Sequence, residues 1–254
     1  MKMPRLFSVL ALLASLSLLN ACADVPKSPE AQAEARAIDD PLEPLNRTVF
    51  DVNDFLDRIL IKPITQAYRY VVPEYVRGRI ANVLQNMGEP VIFANDMMQG
   101  RATDAGTTTG RFLVNTTFGV AGVFEVAADW GLTKQSGDFG QTLSSWGING
   151  GPYLVLPLFG PSNFRDAIGL GVDTVMSPWQ WIAAMGGQGT QNRLVYSQFA
   201  ADGLTRRDQS MEDLDALRAG SLDFYAEMRS VYRQYRDKQL GIENTNAPKF
   251  EDYE

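Results

Sequence analysis

Histidine is absent from all 254 residues, and cysteine occurs once, at Cys22. Without His there is no Ser-His-Asp triad, no imidazole proton shuttle and no His metal ligand. A single Cys forms no intramolecular disulfide and no Cys-based metal cluster. Long apolar runs are missing too: after residue 22 no uninterrupted stretch reaches the length of about 18 residues that a simple membrane-crossing helix needs. An excess of positive charge is also lacking. The chain has 23 basic and 30 acidic residues, a net of −7, which argues against nucleic acid and against purely electrostatic attachment to anionic lipid. No Gly-rich phosphate loop, nucleophile elbow or internal repeat is visible. Carboxylate pairs and Ser-Lys arrangements remain chemically available, yet no spacing singles one out. An enzyme is therefore not expected, and no cofactor or metal is implied.

What is present begins at the N-terminus. Lys2 and Arg5 precede an apolar run from Leu6 to Leu19, too short for a comfortable span and typical of a secretory signal over residues 1–21. It ends in Leu19-Asn20-Ala21-Cys22, which resembles a bacterial lipobox and makes Cys22 the expected lipidation site. Two or more acyl chains there would anchor the chain stably, where one alone would be marginal. Ala23 stands where inner-membrane lipoproteins of enteric bacteria often carry Asp, so outer-membrane sorting is expected. Removing residues 1–21 takes away Lys2 and Arg5 and no acid, leaving 21 basic and 30 acidic residues, a net of −9.

Residues 22–39 read as a lipidated tether, small, polar and rich in Ala, Glu and Pro. A helical domain is expected over 40–240. Leu45, Val49, Val52, Leu56 and Ile59 recur at helical spacing, and Pro63 should end or kink that helix. A second helix should run to Pro73 and a third from Glu74 to Met87, with Glu89-Pro90 as an interruption before Val91 to Met98. Phe112 to Ala128 is the most hydrophobic stretch beyond the signal, and its polar side chains are Asn115, Thr116, Thr117 and Glu125. Short helices of about 8 to 17 residues, apolar over more than one face, suit a protein lying within one leaflet about 15 Å deep. The same stripes would also serve a plain soluble helical core, and periodicity leaves both open.

Residues 135–165 are too rich in Gly and Pro for a long helix, and Leu154-Val155-Leu156 is long enough only for a strand fragment. Gly147, Gly150 and Gly151 are candidate hinge residues, with simple turns as the plainer reading. Tyr153, Leu154, Leu156, Leu158 and Phe159, with Trp179 and Trp181, are candidates for a membrane or partner interface. From about Met211 to Leu240 the pattern is that of a charged surface helix with Leu214, Leu217, Tyr225, Met228 and Tyr232 as its seam. Residues 241–254 read as an acidic, disordered tail.

Several blocks in one order resemble the MlaA (VacJ) lipoprotein family. They are Asp40-Pro41-Leu42-Glu43 with Leu45-Asn46-Arg47, Lys62-Pro63-Ile64, Tyr70-Val71-Val72-Pro73, Asn82 to Pro90, Gly110 to Thr117 and Gly140 to Leu143. Gly151-Pro152-Tyr153-Leu154-Val155-Leu156-Pro157 with Gly160-Pro161-Ser162 and Arg165-Asp166 is the most distinctive. The resemblance implies a mainly α fold: a ring of short amphipathic helices embedded in the inner leaflet of the outer membrane of a Gram-negative bacterium. The ring would surround an amphipathic channel beside trimeric general porins. Phospholipid strayed into the outer leaflet would pass through it to a periplasmic lipid carrier. On that reading Asn115, Thr116 and Thr117 are candidate channel-lining residues, although local backbone hydrogen bonds would also occupy them. Two alternatives stand beside transport: a lipoprotein that scaffolds porins without conducting lipid, and a membrane-surface lipase.

Overall fold

The computed structural model describes residues 40–242. The expectations for the signal, Cys22, the tether and the tail beyond residue 242 lie outside the described residues. Helix α1 (Glu43–Leu56) continues through a π-helical turn (Asp57–Ile61) into α2 (Lys62–Val71). Pro63 thus neither ends nor interrupts this helix. The widened turn accommodates it: the Lys62 N–H bonds to the Asp57 carbonyl five residues back, so the ladder is already loosened where Pro63 lacks a donor. Helix α3 (Glu74–Met98) likewise holds Pro90 in its interior, and the expected break at Glu89-Pro90 does not occur. A proline there costs about 3 kcal/mol. Packing against α4 (Ala102–Thr117), the most extensive helix pair in the fold, opposes that cost.

A turn leads to α5 (Val126–Asp129) and then α6 (Phe139–Ser145). The Gly/Pro-rich middle forms one antiparallel hairpin, β1 (Tyr153–Leu156) with β2 (Gly160–Asn163), Tyr153 lying opposite Asn163. The remainder is α7 (Phe164–Met176), α8 (Pro178–Met185), α9 (Gly187–Gln209), α10 (Met211–Gly220) and α11 (Phe224–Gln239). Helices α3 and α9, at 25 and 23 residues, exceed the short lengths that proline spacing led us to expect. The single helix expected over 211–240 is two, separated at 221–223, where the Asp223 carboxylate caps α11 by accepting from the Ala226 N–H. Among the described residues no helix is long and apolar enough to cross a membrane.

Contacts between elements close a circuit. Helix α1 packs on β1, the hairpin on α7, α7 on α6 and α8, and both of these on α3. Helix α3 meets α9, α9 meets α2, and the π-turn returns α2 to α1. Two asparagines one heptad apart dock α1 on the free edge of β1. Asn46 donates to the Tyr153 carbonyl at 2.9 Å and accepts from the Val155 N–H at 2.9 Å. Asn53 does the same with the Leu156 carbonyl and the Leu158 N–H, both at 2.9 Å. The spacing matches because seven helical residues rise about 10.5 Å and three strand residues about 10 Å.

The C-terminal helices keep Glu212 and Asp213 exposed, as their charge implied, but they also turn charged side chains inward. Arg207 of α9 grips Asp57 of the π-turn with two hydrogen bonds of 2.7 and 3.2 Å, and Arg218 of α10 reaches Asp57 at 3.0 Å and Asp54 at 2.7 Å. Lys62 pairs with Asp215, Arg69 with Asp208 and Glu212, and Arg229 with Asp40. Tyr225 of α11 is buried against Phe50, Tyr153 and Val155, the main apolar cluster. These ion pairs clasp α9, α10 and α11 to the N-terminal helices.

Candidate functional site: a polar interior inside an apolar exterior

The distribution of side chains is inverted relative to a water-soluble domain. Among the described residues ten apolar side chains are buried and nineteen polar or charged ones are, while thirty-three large apolar residues are exposed. Helix α1 makes the inversion concrete. Its inward positions are Asn46, Phe50 and, in the π-turn, Asp57, whereas Val52, Phe55, Ile59 and Leu60 face outward. In water such an exterior would be an aggregation hazard; in hydrocarbon it is the favourable arrangement, with polar groups turned inward and paired.

Buried hydrogen bonds stitch the circuit together. Asn95 of α3, fully buried, donates to Asp173 of α7 at 2.8 Å and accepts from Thr142 of α6 at 2.8 Å. Asp96, also fully buried, accepts from Thr108 of α4 at 3.1 Å and from Arg101 at 2.6 Å. Burial pushes the carboxyls of Asp96 and Asp173 above their ordinary range, and their hydrogen bonds offset that only in part. Asp166 behaves differently. Burial acts to raise it, but Arg236, Tyr232 and Arg165 outweigh burial and hold it below the usual carboxylate range. Among the described residues no group of three or more His, Cys, Asp or Glu could hold a metal ion.

A narrow cleft, with room for about one water-sized group, opens into this interior. It lies between Asn82, Gln85, Asn86 and Glu89 of α3, Arg111 and Asn115 of α4, and Gly122 and Glu125 of the following turn. Arg111, 2% exposed, donates to Glu89 at 3.1 Å, to Glu125 at 2.7 Å and to the Leu132 carbonyl at 2.7 Å. The turn carries three successive left-handed residues, Val120 (φ 55), Ala121 (φ 57) and Gly122 (φ 89). Glycine is required at the last, because a Cβ there would lie 2.5 Å from the Asn86 side chain.

The candidate lining residues separate. Asn115 is buried at the cleft, where its side-chain Oδ1 accepts from the Ala127 N–H at 2.8 Å and fixes the start of α5. Thr116 accepts from Asn86 at 3.0 Å, and Thr117 donates to the Leu113 carbonyl at 2.6 Å. Gly147 (φ 85) closes α6: its N–H bonds to Ser144 and the Ile148 N–H to Leu143, both at 2.9 Å, the glycine-ended helix stop. Gly150 accepts from the Arg165 N–H at 3.0 Å, and Gly151 (φ 69) enters β1. The left-handed φ at Gly147 and Gly151 fits the plainer turn reading, and Gly150 has no such φ.

Of the candidate interface residues, Tyr153 is misplaced by the sequence reading. It is 2% exposed, because strand alternation turns it and Val155 into the apolar cluster. Leu154 and Leu156 are half-buried, while Leu158 and Phe159 stand exposed at the hairpin tip, Phe159 against Phe199 with ring centres 5.4 Å apart. Trp181 is 62% exposed and Trp179 half-buried. Sequence reasoning missed the framework itself: Asn46, Asp57, Glu89, Asn95, Asp96, Arg111, Arg207 and Arg236. The available signal was a charged or amide residue set among apolar ones, as Arg111 is beside Phe112-Leu113-Val114.

Comparison with known proteins agrees with this architecture. A family model described as MlaA lipoprotein matches residues 38–239. The intermembrane phospholipid transport system lipoprotein MlaA of Haemophilus influenzae is 30% identical over 233 residues, covering 89% of this chain and 88% of that one. The protein of the same name from Escherichia coli K12 is 31% identical over 205 residues, covering 78% and 77%. An uncharacterized protein of Rickettsia felis is 32% identical over 211 residues, covering 83% and 82%. A solved structure concerned with the structural basis for maintenance of bacterial outer membrane lipid asymmetry superimposes with a TM-score of 0.68 at 30% identity, covering 79% of this chain and 98% of that one. The chain belongs to the MlaA lipoprotein family.

Proposed function

We propose that this chain is the outer-membrane component of an intermembrane phospholipid transport system: it removes phospholipid mislocalised to the outer leaflet and carries lipid rather than transforming it. The inversion of polarity carries the reading. An apolar exterior built from helices too short or too polar to span suits a body seated in one leaflet. A circuit of helices with inward polar groups suits a path for headgroups. Dragging a headgroup unsolvated through hydrocarbon would cost several kcal/mol, and a polar lining removes most of that cost while acyl chains keep apolar contact. We place Cys22 as the lipid anchor on the periplasmic side, trimeric general porins against the apolar exterior, and a soluble periplasmic carrier as the acceptor of the lipid. No nucleotide-binding motif is present in the sequence, so directionality would come from downstream of this chain.

The test uses cells lacking this chain, complemented with wild type or Cys22→Ala. Outer-leaflet phospholipid is read by its conversion by an outer-leaflet acyltransferase. Accumulation without the chain, cleared by wild type and not by Cys22→Ala, is the expected result. Unchanged outer-leaflet phospholipid would refute lipid removal and leave a porin scaffold as the reading.

A further inference from the structure

The cleft beside α3 has two buried acceptors with nothing to accept. Asn86 Oδ1 and Glu89 Oε2 meet no hydrogen-bond donor among the described residues, although the two residues are 4% and 1% exposed. The rest of each side chain is committed: Asn86 donates to Thr116, and Glu89 accepts from Arg111 through its other oxygen. Two carboxylates, Glu89 and Glu125, share the single guanidinium of Arg111. Lys134 is near enough to feel both carboxylates but forms no ion pair with either.

An arginine lies next to the cleft lining. Arg79 is one turn before the lining residue Asn82 on α3, and both donate to the Val123 carbonyl, at 3.4 and 3.3 Å. Its Cζ lies 4.5 Å from the Tyr75 ring centre and 5.0 Å from that of Phe124, two exposed aromatics. It pairs with no carboxylate among the described residues, and its Nε is buried without an acceptor. An arginine stacked between aromatics with free donors is suited to a phosphate oxyanion.

We propose that this cleft is a subsite for a phosphoethanolamine headgroup, Arg79 taking the phosphate and Asn86, Glu89 and Glu125 taking the primary ammonium. This rests on the phospholipid-transport reading and gives it a headgroup preference. A primary ammonium is about the size of a water, carries three donors for the two unpaired acceptors and brings a positive charge to a site with two carboxylates. A trimethylammonium group has no donor and is larger, and a glycerol headgroup brings no charge.

The full-length acylated protein in detergent micelles is titrated with short-chain phosphatidylethanolamine, phosphatidylcholine and phosphatidylglycerol, and with soluble O-phosphoethanolamine. Phosphatidylethanolamine should bind about tenfold more tightly than phosphatidylcholine, the worth of a charge-assisted hydrogen bond or two. Arg79→Met should weaken both lipids alike, Asn86→Leu should abolish only the preference, and Asn86→Asp should keep it; unchanged melting confirms that each variant folds. Competition by O-phosphoethanolamine at similar concentration identifies the headgroup alone as sufficient, and binding of the lipid only identifies the lipid as the ligand. Equal binding of the ethanolamine and choline lipids, or a preference that survives in folded Asn86→Leu, overturns the subsite. If that happens while cells still clear outer-leaflet phospholipid, transport stands without it; if no lipid is cleared in cells, it is the transport reading that falls.

Discussion

Arg111→Met removes the central cation of the α3–α4 interface and should be among the most damaging single changes in the chain. Three interactions are lost at once: the pairs with Glu89 and Glu125 and the hydrogen bond to the Leu132 carbonyl. Glu89, 1% exposed, is left as a buried carboxylate without a partner. Breaking such a pair from one side costs about 3–5 kcal/mol, or a fall in Tm of about 10 °C for a domain of this size. Replacing both partners should be far milder, so Glu89→Leu added to Arg111→Met should recover most of the loss. The penalty has a predictable pH dependence. Burial already raises the Glu89 pKa, against the pull of Arg111, and removing Arg111 raises it further. A carboxyl whose folded pKa is raised contributes stability at low pH that is lost as pH rises through that pKa. The variant should therefore lose less at pH 5 than at pH 8. Thermal unfolding in micelles, followed by circular dichroism at both pH values, is the assay. A single variant within about 1 kcal/mol of wild type, or a double variant as unstable as the single, would refute the reasoning.

Three further outcomes follow from other parts of the fold. Asp57→Leu strands Arg207 and part of Arg218 inside the clasp and should cost about 3 kcal/mol in denaturant titration. Asp166 has a lowered folded pKa, so its stabilisation is present above the unfolded value of about 3.9 and is lost as pH falls through the folded one; Asp166→Asn should flatten the acid limb of the unfolding profile. Gly147→Val forces a β-branched residue into φ 85 and should cost about 1–2 kcal/mol, whereas Gly171→Ala, with open space around it in α7, should be neutral or slightly stabilising in the same melt.

Reading the sequence located the helical segments, the strand fragment at Leu154-Val155-Leu156 and the turn-rich middle, because local periodicity and Gly/Pro punctuation act within a few residues. It failed where a distant partner decides. Pro63 and Pro90 sit inside helices because a π-turn and the α4 face accommodate them, and neither is visible in the flanking residues. The stripe Leu45, Val49, Val52, Leu56, Ile59 is divided, Val49 packing on the buried Phe50 cluster, because periodicity cannot say whether an apolar residue faces a core or lipid. Val52 and Ile59 face outward while Asn46 and Asp57 face in. The framework pairs lie far apart in the chain, Asn46 with Tyr153 and Asp57 with Arg207, and one sequence carries no record of such pairing. In the C-terminal third, a charged face reads the same whether it meets water or the carboxylates and guanidinia of another helix.

The most direct measurement of the central claim is membrane depth and solvent access, residue by residue. Cys22 is the only native cysteine and is replaced by Ala for labelling, so single cysteines introduced for Phe55, Ile64, Phe93 and Trp181 on the exterior, and for Gln85 at the cleft, can each carry a spin label. In native-like membranes the exterior sites should relax with oxygen, which partitions into lipid, and resist a water-soluble nickel chelate; the Gln85 site should show the reverse. Exterior labels that respond chiefly to the nickel chelate would place the apolar surface in water and contradict a leaflet-seated, polar-centred path for phospholipid.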